Sequence, residues 1–128
     1  MATQTTQGIR VTVEPTYQPA YSNPLQSRFI FAYQVIIENL GTATVQLLRR
    51  HWFIWDADGS MQEVEGEGVI GQQPILPPNG RHEYASWCDL TTGIGKMNGT
   101  YLMVDVEKNE QFYAKIPAFV LIAPLRLN

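Results

Sequence analysis

Apolar side chains in this protein recur at every second position, and this spacing limits the fold more than any other feature. Along residues 29–38, five apolar or aromatic side chains from Phe29 to Ile37 alternate with a second set that is itself partly apolar. A period of two places alternate side chains on opposite faces of a strand, whereas a helix requires a period of about 3.6. The segment is therefore predicted to be a central strand, and no helix is predicted.

Similar segments follow one another at short intervals, separated by residues typical of turns. The turn signals are the residues 56–59 (DADG), 77–80 (PPNG), 92–93 (TG) and 108–109 (KN). The predicted strands are residues 9–14, 29–38, 45–55, 61–65, 81–88, 100–106, 111–116 and 119–122. Tyr101, near the start of a late strand, fits a tyrosine corner, and an ordinary core tyrosine fits equally well.

Seven or eight short antiparallel strands in 128 residues predict a single all-β domain. The expected architecture is a β-sandwich of the immunoglobulin or fibronectin type III kind over residues 8–128. Residues 1–7 are rich in Thr and Gln and lack an apolar pattern. They are therefore expected to form a flexible N-terminal tail.

Composition excludes several classes of partner. The net charge is −3, and no basic cluster is longer than Arg49-Arg50, so binding to nucleic acid is not expected. The single cysteine, Cys88, cannot form an intramolecular disulfide, which fits a reducing compartment. No signal peptide is recognisable, and the longest apolar run, residues 118–123, is too short to cross a bilayer. A cytoplasmic location without membrane contact is expected.

Residues 66–71 (GEGVIG) have the glycine spacing of a dinucleotide-binding fingerprint. That chemistry needs a helix directly after the glycines, with its N-terminus facing the pyrophosphate. Pro74, Pro77 and Pro78 follow instead and forbid a helix. Two interpretations remain: a loop that offers backbone N–H groups to an anion, or a structural bend between strands. No cofactor is predicted.

Candidate metal ligands are scattered along the sequence. His51, His82 and Cys88 lack the short paired spacing of a zinc site. Asp56-x-Asp58 resembles the opening of a calcium loop, but the glycine required at the sixth position is missing, so a turn is expected. The sequence predicts no metal site and no tight binding of cobalt or magnesium.

The residues also lack a recognisable catalytic arrangement. Cys88 lies in a half-apolar strand, as a small buried hydrophobe would. The sequence contains no Gly-x-Ser-x-Gly motif and no visibly paired carboxylates. The protein is therefore predicted not to be an enzyme.

Two adjacent arginines, a histidine and a tryptophan at residues 49–52 (RRHW) could form a recognition surface, because Arg and Trp are favoured at binding hot spots. In the alternative, Trp52 and Trp55 belong to the core and the arginines are solvated. We expect the glycine-rich loop to lie beside this strand and to form one partner-binding face with it. The predicted face consists of Arg49, Arg50, His51, Glu65, Gly66, Glu67, Gly68 and Gly71.

Five motifs carry a family resemblance: residues 39–41 (NLG), 49–52 (RRHW), 56–59 (DADG), 64–74 (VEGEGVIGQQP) and 99–103 (GTYLM). Together they closely resemble the ApaG family over about residues 8–124. The resemblance implies a bacterial cytoplasmic protein with a fibronectin-type sandwich. Similar domains occur in eukaryotic F-box proteins and in a polymerase-interacting protein, where protein–protein binding is inferred. The family is also linked to cobalt resistance and magnesium efflux, and no catalytic or cofactor residues are established for it.

Three functions follow from these observations. The first is a non-catalytic protein–protein binding module with an unidentified protein partner, and homo-oligomers are also allowed. The alternative is an accessory protein in divalent-cation (cobalt or magnesium) homeostasis, which depends on the family resemblance alone. An enzymatic or nucleotide-binding function depends only on the spacing of the glycines.

Overall fold

Nine strands form within residues 1–124, the part of the protein that the computed structural model describes. Residues 125–128 of the predicted 8–128 domain lie outside it. The strands are β1 (Ala2–Thr6), β2 (Ile9–Tyr17), β3 (Phe29–Asn39), β4 (Val45–Asp56), β5 (Met61–Glu67), β6 (Ile75–Leu76), β7 (Arg81–Leu90), β8 (Ile94–Asp105) and β9 (Glu110–Ile122). Helical structure in this part is limited to two 3-10 turns, at Pro19–Tyr21 and Pro24–Gln26. None of its helices is long and apolar enough to span a membrane.

The strands form two antiparallel sheets that pack face to face. Sheet I has the order β1-β2-β3-β7, and sheet II has the order β5-β4-β8-β9 with β6 paired to β4. Alternate apolar residues of both sheets fill the space between them, including Val35 and Ile37 of β3 and Trp52 of β4. The predicted all-β sandwich is confirmed, with nine strands in place of seven or eight because β1 and the short β6 lack a visible apolar pattern. The finer likeness to immunoglobulin or fibronectin type III domains stays a prediction.

The N-terminus corrects the expectation of a flexible tail over residues 1–7. Ala2–Thr6 pairs antiparallel with β2, with Thr6 opposite Ile9. Gln7 and Gly8 both have positive φ and make the tight turn between the two strands. Threonine favours extended backbone, and an edge strand with an exposed face needs no apolar alternation. The polar composition therefore hid a strand.

The last strand also differs from the prediction. Residues 111–116 and 119–122 were predicted as two strands, but they form one strand, β9, with an irregularity around Pro117. The register with β8 shifts between Met97 and Gly99, opposite that proline. Proline has no N–H to give to a neighbouring strand, so it is tolerated where the ladder is already interrupted.

A β-bulge in β4 changes which side chains face the other sheet. Before it, Val45 and Leu47 are buried; after it, Trp52 and Ile54 are buried. The pairing with β8 shifts between Leu47 and Arg49, so the residue between them, at position 48, has no partner in β8. Inward positions are odd-numbered before the bulge and even-numbered after it.

The two long sides of the sandwich differ. On one side β1 and β9 lie close together, and the Lys115 N–H donates to the Thr6 hydroxyl over 3.2 Å. On the other side the edges are β5 and β7, which do not pair with each other. The Gln62 amide donates to the Asp89 carbonyl over 3.4 Å at one end of this side. A space between the two edges remains open beyond that contact.

Tyr101 is an ordinary core tyrosine, so the tyrosine-corner interpretation is wrong. It lies in the middle of β8, which begins at Ile94, and its side chain is fully buried. Its hydroxyl forms a hydrogen bond with the hydroxyl of Tyr84 on the facing sheet. The bond joins the two sheets instead of closing a corner beside its own strand.

Two neighbouring residues of β9 provide a matched test of this packing. Leu121 has 0% of its surface exposed, whereas Ile122 has 61% exposed. Leu121→Ala should lower the free energy of unfolding by about 2–5 kcal/mol, because it removes apolar surface from the core and leaves a cavity. Ile122→Ala should lower it by about 1 kcal/mol or less. Urea unfolding measures both, and equal losses would show that β9 is not seated as described.

Candidate binding cleft

A cleft of about 320 Å³ opens between the edges of the two sheets. One wall is β4, β5 and the glycine-rich loop of sheet II, and the other is β3 and β7 of sheet I. The lining residues are Tyr33, Arg50, Trp52, Ile54, Val64, Glu67, Ile70, Gly71, Tyr84, Ser86 and Trp87. A larger pocket of about 700 Å³ lies elsewhere, but its lining residues include no charged side chain. Polar and apolar groups converge in the cleft, as expected of a binding site.

Arg50 is half-buried and held in one orientation at the cleft. Its Nη1 donates to the carbonyl oxygens of Glu67 and Gly68, over 3.0 and 3.1 Å. The guanidinium group lies against Gly66, where an added Cβ would be 3.0 Å from Nη1. A side chain at position 66 would push the guanidinium aside. The small residue and the two carbonyls together fix the position of the charge.

Gly68 is required by the backbone path of the loop. Its φ is +64°, and a Cβ built there would overlap the carbonyl oxygen of Gln72. Its N–H donates to the Leu48 carbonyl over 2.8 Å, which ties the loop to the bulge in β4. These contacts support the structural interpretation of Gly68.

The remainder of the loop is a two-residue turn. Val69 and Gln72 exchange backbone hydrogen bonds of 2.8 and 3.1 Å. Between them, Ile70 and Gly71 both have positive φ, 48° and 72°, which is the geometry of a type I′ turn. Ile70 occupies a conformation unusual for its residue type, and it exposes 63% of its surface at the cleft.

Three tyrosines lie at or near the base of the cleft. Burial raises the pKa of Tyr33, Tyr84 and Tyr101, so their hydroxyls are neutral at physiological pH. The positive charge of Arg50 acts in the opposite direction on all three pKa values, because it is close enough to favour the phenolate. The cleft therefore combines a fixed cation with neutral hydroxyl groups.

Exposed apolar side chains border the polar base. Trp87 of β7 alternates with the inward-facing Ser86 and Cys88, so its side chain lies toward the outer face of sheet I, at the rim of the cleft. It exposes 50% of its surface, and Val64 of β5 is also exposed. The Trp87 ring packs edge-on against Tyr21, with 5.0 Å between ring centroids. A half-exposed indole is typical of a binding anchor.

The structure divides the predicted partner-binding face between two surfaces. Alternation along β4 places Arg50 at the cleft, and places Arg49 and His51 on the outer face of sheet II. Arg49 Nη2 lies 3.9 Å from Glu65 Oε1, and His51 Nε2 lies 2.5 Å from Glu63 Oε1. Gly66, Gly68 and Gly71 belong to the cleft side, and Glu67 contributes its carbonyl there while its side chain is exposed.

The half of the cleft that comes from sheet I was not predicted from the sequence. Tyr84 and Ser86 lie far along the sequence from Arg50, and they face it only because β7 and β5 are edges on the same side. The exposed position of Trp87 in the run 84–88 was the one available signal. Trp52 is buried, as the core interpretation expected, but Trp55 is 36% exposed.

The outer face holds a group of ligand-type side chains that was not predicted from the sequence either. One ligand atom from each of His51, Glu63 and Glu65 lies within 4.8 Å of the others. The expectation that ligand residues are scattered is wrong at this point, because Glu63 and Glu65 alternate along β5 directly beside His51 of β4. The prediction that no metal binds remains untested.

The other candidate ligands have structural roles. The Asp56 carboxylate accepts hydrogen bonds from the backbone N–H groups of Thr91 and Thr92, and so ties the turn after β4 to the turn after β7. Burial alone would raise its pKa, but the hydrogen bonds it accepts lower it overall. The Asp58 carboxylate accepts a hydrogen bond from the Ser60 N–H over 2.8 Å. The segment is a turn between strands, as expected.

Cys88 is buried and lies 3.8 Å from the sulfur of Met97. Burial raises the pKa of its thiol to about 12, so the nucleophilic thiolate is absent at neutral pH. The residue packs as a small apolar side chain and gives no support to a cysteine nucleophile.

Comparison with known proteins agrees with the motifs. The model of the ApaG domain family matches residues 19–105. The chain belongs to the ApaG family. It is 51% identical to protein ApaG of Paramagnetospirillum magneticum over 124 residues, covering 97% of this chain and 95% of that protein. It is 48% identical to protein ApaG of Anaeromyxobacter dehalogenans over 128 residues, covering 100% of both.

A solved structure shows the same fold within the ApaG family. The crystal structure of a Bordetella pertussis protein described as ApaA has 45% identity and a TM-score of 0.88, covering 91% of this chain and 94% of that one. None of these family or protein descriptions names an enzymatic activity.

Two glycines of the glycine-rich loop provide the test of its geometry. Gly68→Ala should lower the free energy of unfolding by about 3 kcal/mol or more, because left-handed backbone and a steric overlap with Gln72 act together. Gly71→Ala has the same sign of φ but open space around it, so a loss of about 1–2 kcal/mol is expected. Thermal or urea unfolding measures the difference, and a tolerated Gly68→Ala would contradict the loop geometry.

Proposed function

We propose that this ApaG-family protein is a non-catalytic protein-binding module whose cleft receives an extended segment of a partner protein. The observation that carries the proposal is the open side of the sandwich. Within residues 1–124, two strand edges without a partner strand border a cleft that contains a fixed arginine, and a half-exposed tryptophan lies at its rim. Backbone hydrogen bonds to an edge would supply affinity, and the cleft would supply specificity.

The two edges are not equally suited to pairing with a partner. β5 carries Glu63, Glu65 and Glu67, and charged side chains discourage pairing along an edge. By contrast, residues 84–88 of β7 have neither a charge nor a proline. The Asp89 carbonyl, which accepts from Gln62 of β5, points away from β3. Because directions alternate along a strand, the backbone groups of Ala85 and Trp87 point the same way.

The cleft is also pre-organised. Arg50 is held by two carbonyls, the loop by Leu48 and Trp87 by Tyr21. Groups that are already ordered lose little conformational entropy when a partner binds. We place this activity in the cytoplasm, and a second copy of the protein is one of the partners that the test must distinguish.

A second candidate function is an accessory role in divalent-cation homeostasis. The observation that favours it is the cluster of His51, Glu63 and Glu65 on the outer face of sheet II. One imidazole and two carboxylates suit borderline transition metals such as Co²⁺, whereas Mg²⁺ prefers oxygen ligands alone. All three side chains reach solvent, so the metal would complete its coordination with water.

The protein-binding function predicts selection of peptides from a random library by the immobilised protein. Peptides that bind should lose at least about tenfold in affinity when Trp87→Ala removes the aromatic border of the cleft. The matched control is Tyr113→Ala, since Tyr113 is also an exposed aromatic residue but lies on β9, outside the cleft. Fluorescence anisotropy measures the affinities.

Two results would count against this function. One is a library screen without enriched sequences. The other is a set of peptides that bind the Trp87→Ala and Tyr113→Ala proteins equally well. Light scattering on the peptide-free protein separates self-association: a Trp87-dependent dimer would make the second copy the partner.

The cation function predicts that one Co²⁺ binds per protein molecule and that Mg²⁺ binds more weakly. His51→Ala should abolish Co²⁺ binding, because it removes the nitrogen ligand of the cluster, while His82→Ala on β7 should leave binding unchanged. Isothermal titration calorimetry measures both. Absence of Co²⁺ binding would remove this second function and would agree with the expectation from sequence.

A further inference from the structure

We infer that the cleft selects a partner segment by a carboxylate group and that Arg50 is the residue that receives it. The inference rests on the proposed protein-binding function and names the chemistry that the cleft recognises. The structural basis is a guanidinium group at the cleft whose hydrogen-bonding capacity is only partly used.

Arg50 has donors left for a ligand. A guanidinium group offers five N–H donors, and within residues 1–124 only Nη1 is engaged, by the carbonyls of Glu67 and Gly68. Nε and Nη2 donate to none of the described residues. Arg50 also forms no ion pair with a carboxylate in residues 1–124, whereas the adjacent Arg49 is paired with Glu65.

The position of Arg50 makes this unused capacity effective. The side chain is half-buried, and it lines the cleft together with Tyr33 and Tyr84. Charge-assisted hydrogen bonds gain strength when water is partly excluded. Because Nη1 is already tied to the loop, little side-chain freedom remains to be lost when a ligand binds.

The surrounding charges favour a monoanion over a dianion. Arg50 is the one cationic side chain among the residues that line the cleft. A carboxylate would match this single positive charge, whereas a phosphate group, with about −1.5 to −2 charges at neutral pH, would be left partly uncompensated. A carboxylate therefore fits the electrostatics of the cleft better than a phosphate does.

The apolar residues around the cleft indicate the chemistry of the rest of the ligand. Ile70, Val64 and Trp87 border the same cleft and are all exposed. A carboxylate attached to or next to an apolar side chain would contact both the Arg50 guanidinium and this apolar border. The carboxylate can come from the C-terminus of a polypeptide or from an Asp or Glu side chain, and the test separates these sources.

The experiment is an NMR titration of the full-length ¹⁵N-labelled protein with small probes. N-acetyl-leucine represents a C-terminal residue, N-acetylglutamate α-amide represents an acidic side chain, and N-acetyl-leucinamide is the uncharged control. The acid that represents the true source should shift the Arg50 Nε–Hε and Trp87 indole signals, and N-acetyl-leucinamide should not. Inorganic phosphate should bind more weakly than that acid.

Variants assign the effect to Arg50. Arg50→Gln should weaken binding of the acid at least about tenfold, because a hydrogen-bonded charge is lost. Arg50→Lys should retain part of it, since the charge remains without the forked geometry. Arg49→Gln is the matched control, because it removes the neighbouring arginine from the opposite face of the strand and should change nothing. The ¹⁵N spectrum verifies that each variant is folded.

Specific outcomes would overturn the inference. They are equal shifts from the acids and N-acetyl-leucinamide, tighter binding of phosphate, or equal losses in Arg50→Gln and Arg49→Gln. If library peptides bind in a Trp87-dependent way but tolerate amidation of every carboxylate, the carboxylate inference is wrong and the protein-binding function stands. If the acids bind at Arg50 but no peptide does, the carboxylate site stands and the protein-binding function is wrong.

Discussion

The candidate site depends on one local feature of the backbone, the β-bulge at Leu48 in β4. One residue of β4 has no partner in β8, and its carbonyl turns to accept from the Gly68 N–H and from the Gln73 side chain, over 2.8 and 3.0 Å. These two bonds anchor the glycine-rich loop. The same extra residue reverses the alternation of the strand, so that Arg50 faces the cleft and Arg49 faces solvent. The orientation of Arg50, the anchoring of the glycine-rich loop and the contact between them therefore all follow from the bulge.

Sequence alternation predicted most of the sandwich. The strongly patterned strands β2 to β5 and β7 were located to within a few residues. Failures occurred where side-chain pattern and backbone pairing are independent. β1 is a polar edge strand, and β9 passes through Pro117 without ending, because the interruption in the ladder absorbs the missing donor.

The candidate site was only half predictable for a related reason. Arg50 and the loop glycines were identified, because unusual residues in a short segment are visible without a structure. Which of Arg49 and Arg50 faces the cleft could not be predicted, since the run 49–52 is polar enough to hide the change of phase at the bulge. Tyr84 enters the cleft, and Trp87 reaches its rim, from a different sheet. That proximity depends on strand order, which local patterns do not encode.

The glycines of residues 66–71 show how one spacing can arise from unrelated requirements. Gly66 leaves room for the Arg50 guanidinium, Gly68 avoids the Gln72 carbonyl, and Gly71 completes a tight turn. In a dinucleotide-binding protein the same intervals serve a pyrophosphate and the first turn of a helix. Here the segment that follows is β6, so the agreement with that fingerprint is one of spacing alone.

The burial of Cys88 gives the molecule an internal reporter of its own opening. The protein has one thiol, which lies in the core with a pKa raised to about 12. A thiol reagent should therefore react much faster with molecules in which β7 has separated from the core. β7 forms one wall of the cleft. The rate of that modification would therefore report how often this wall opens in the wild-type protein, without any engineered label.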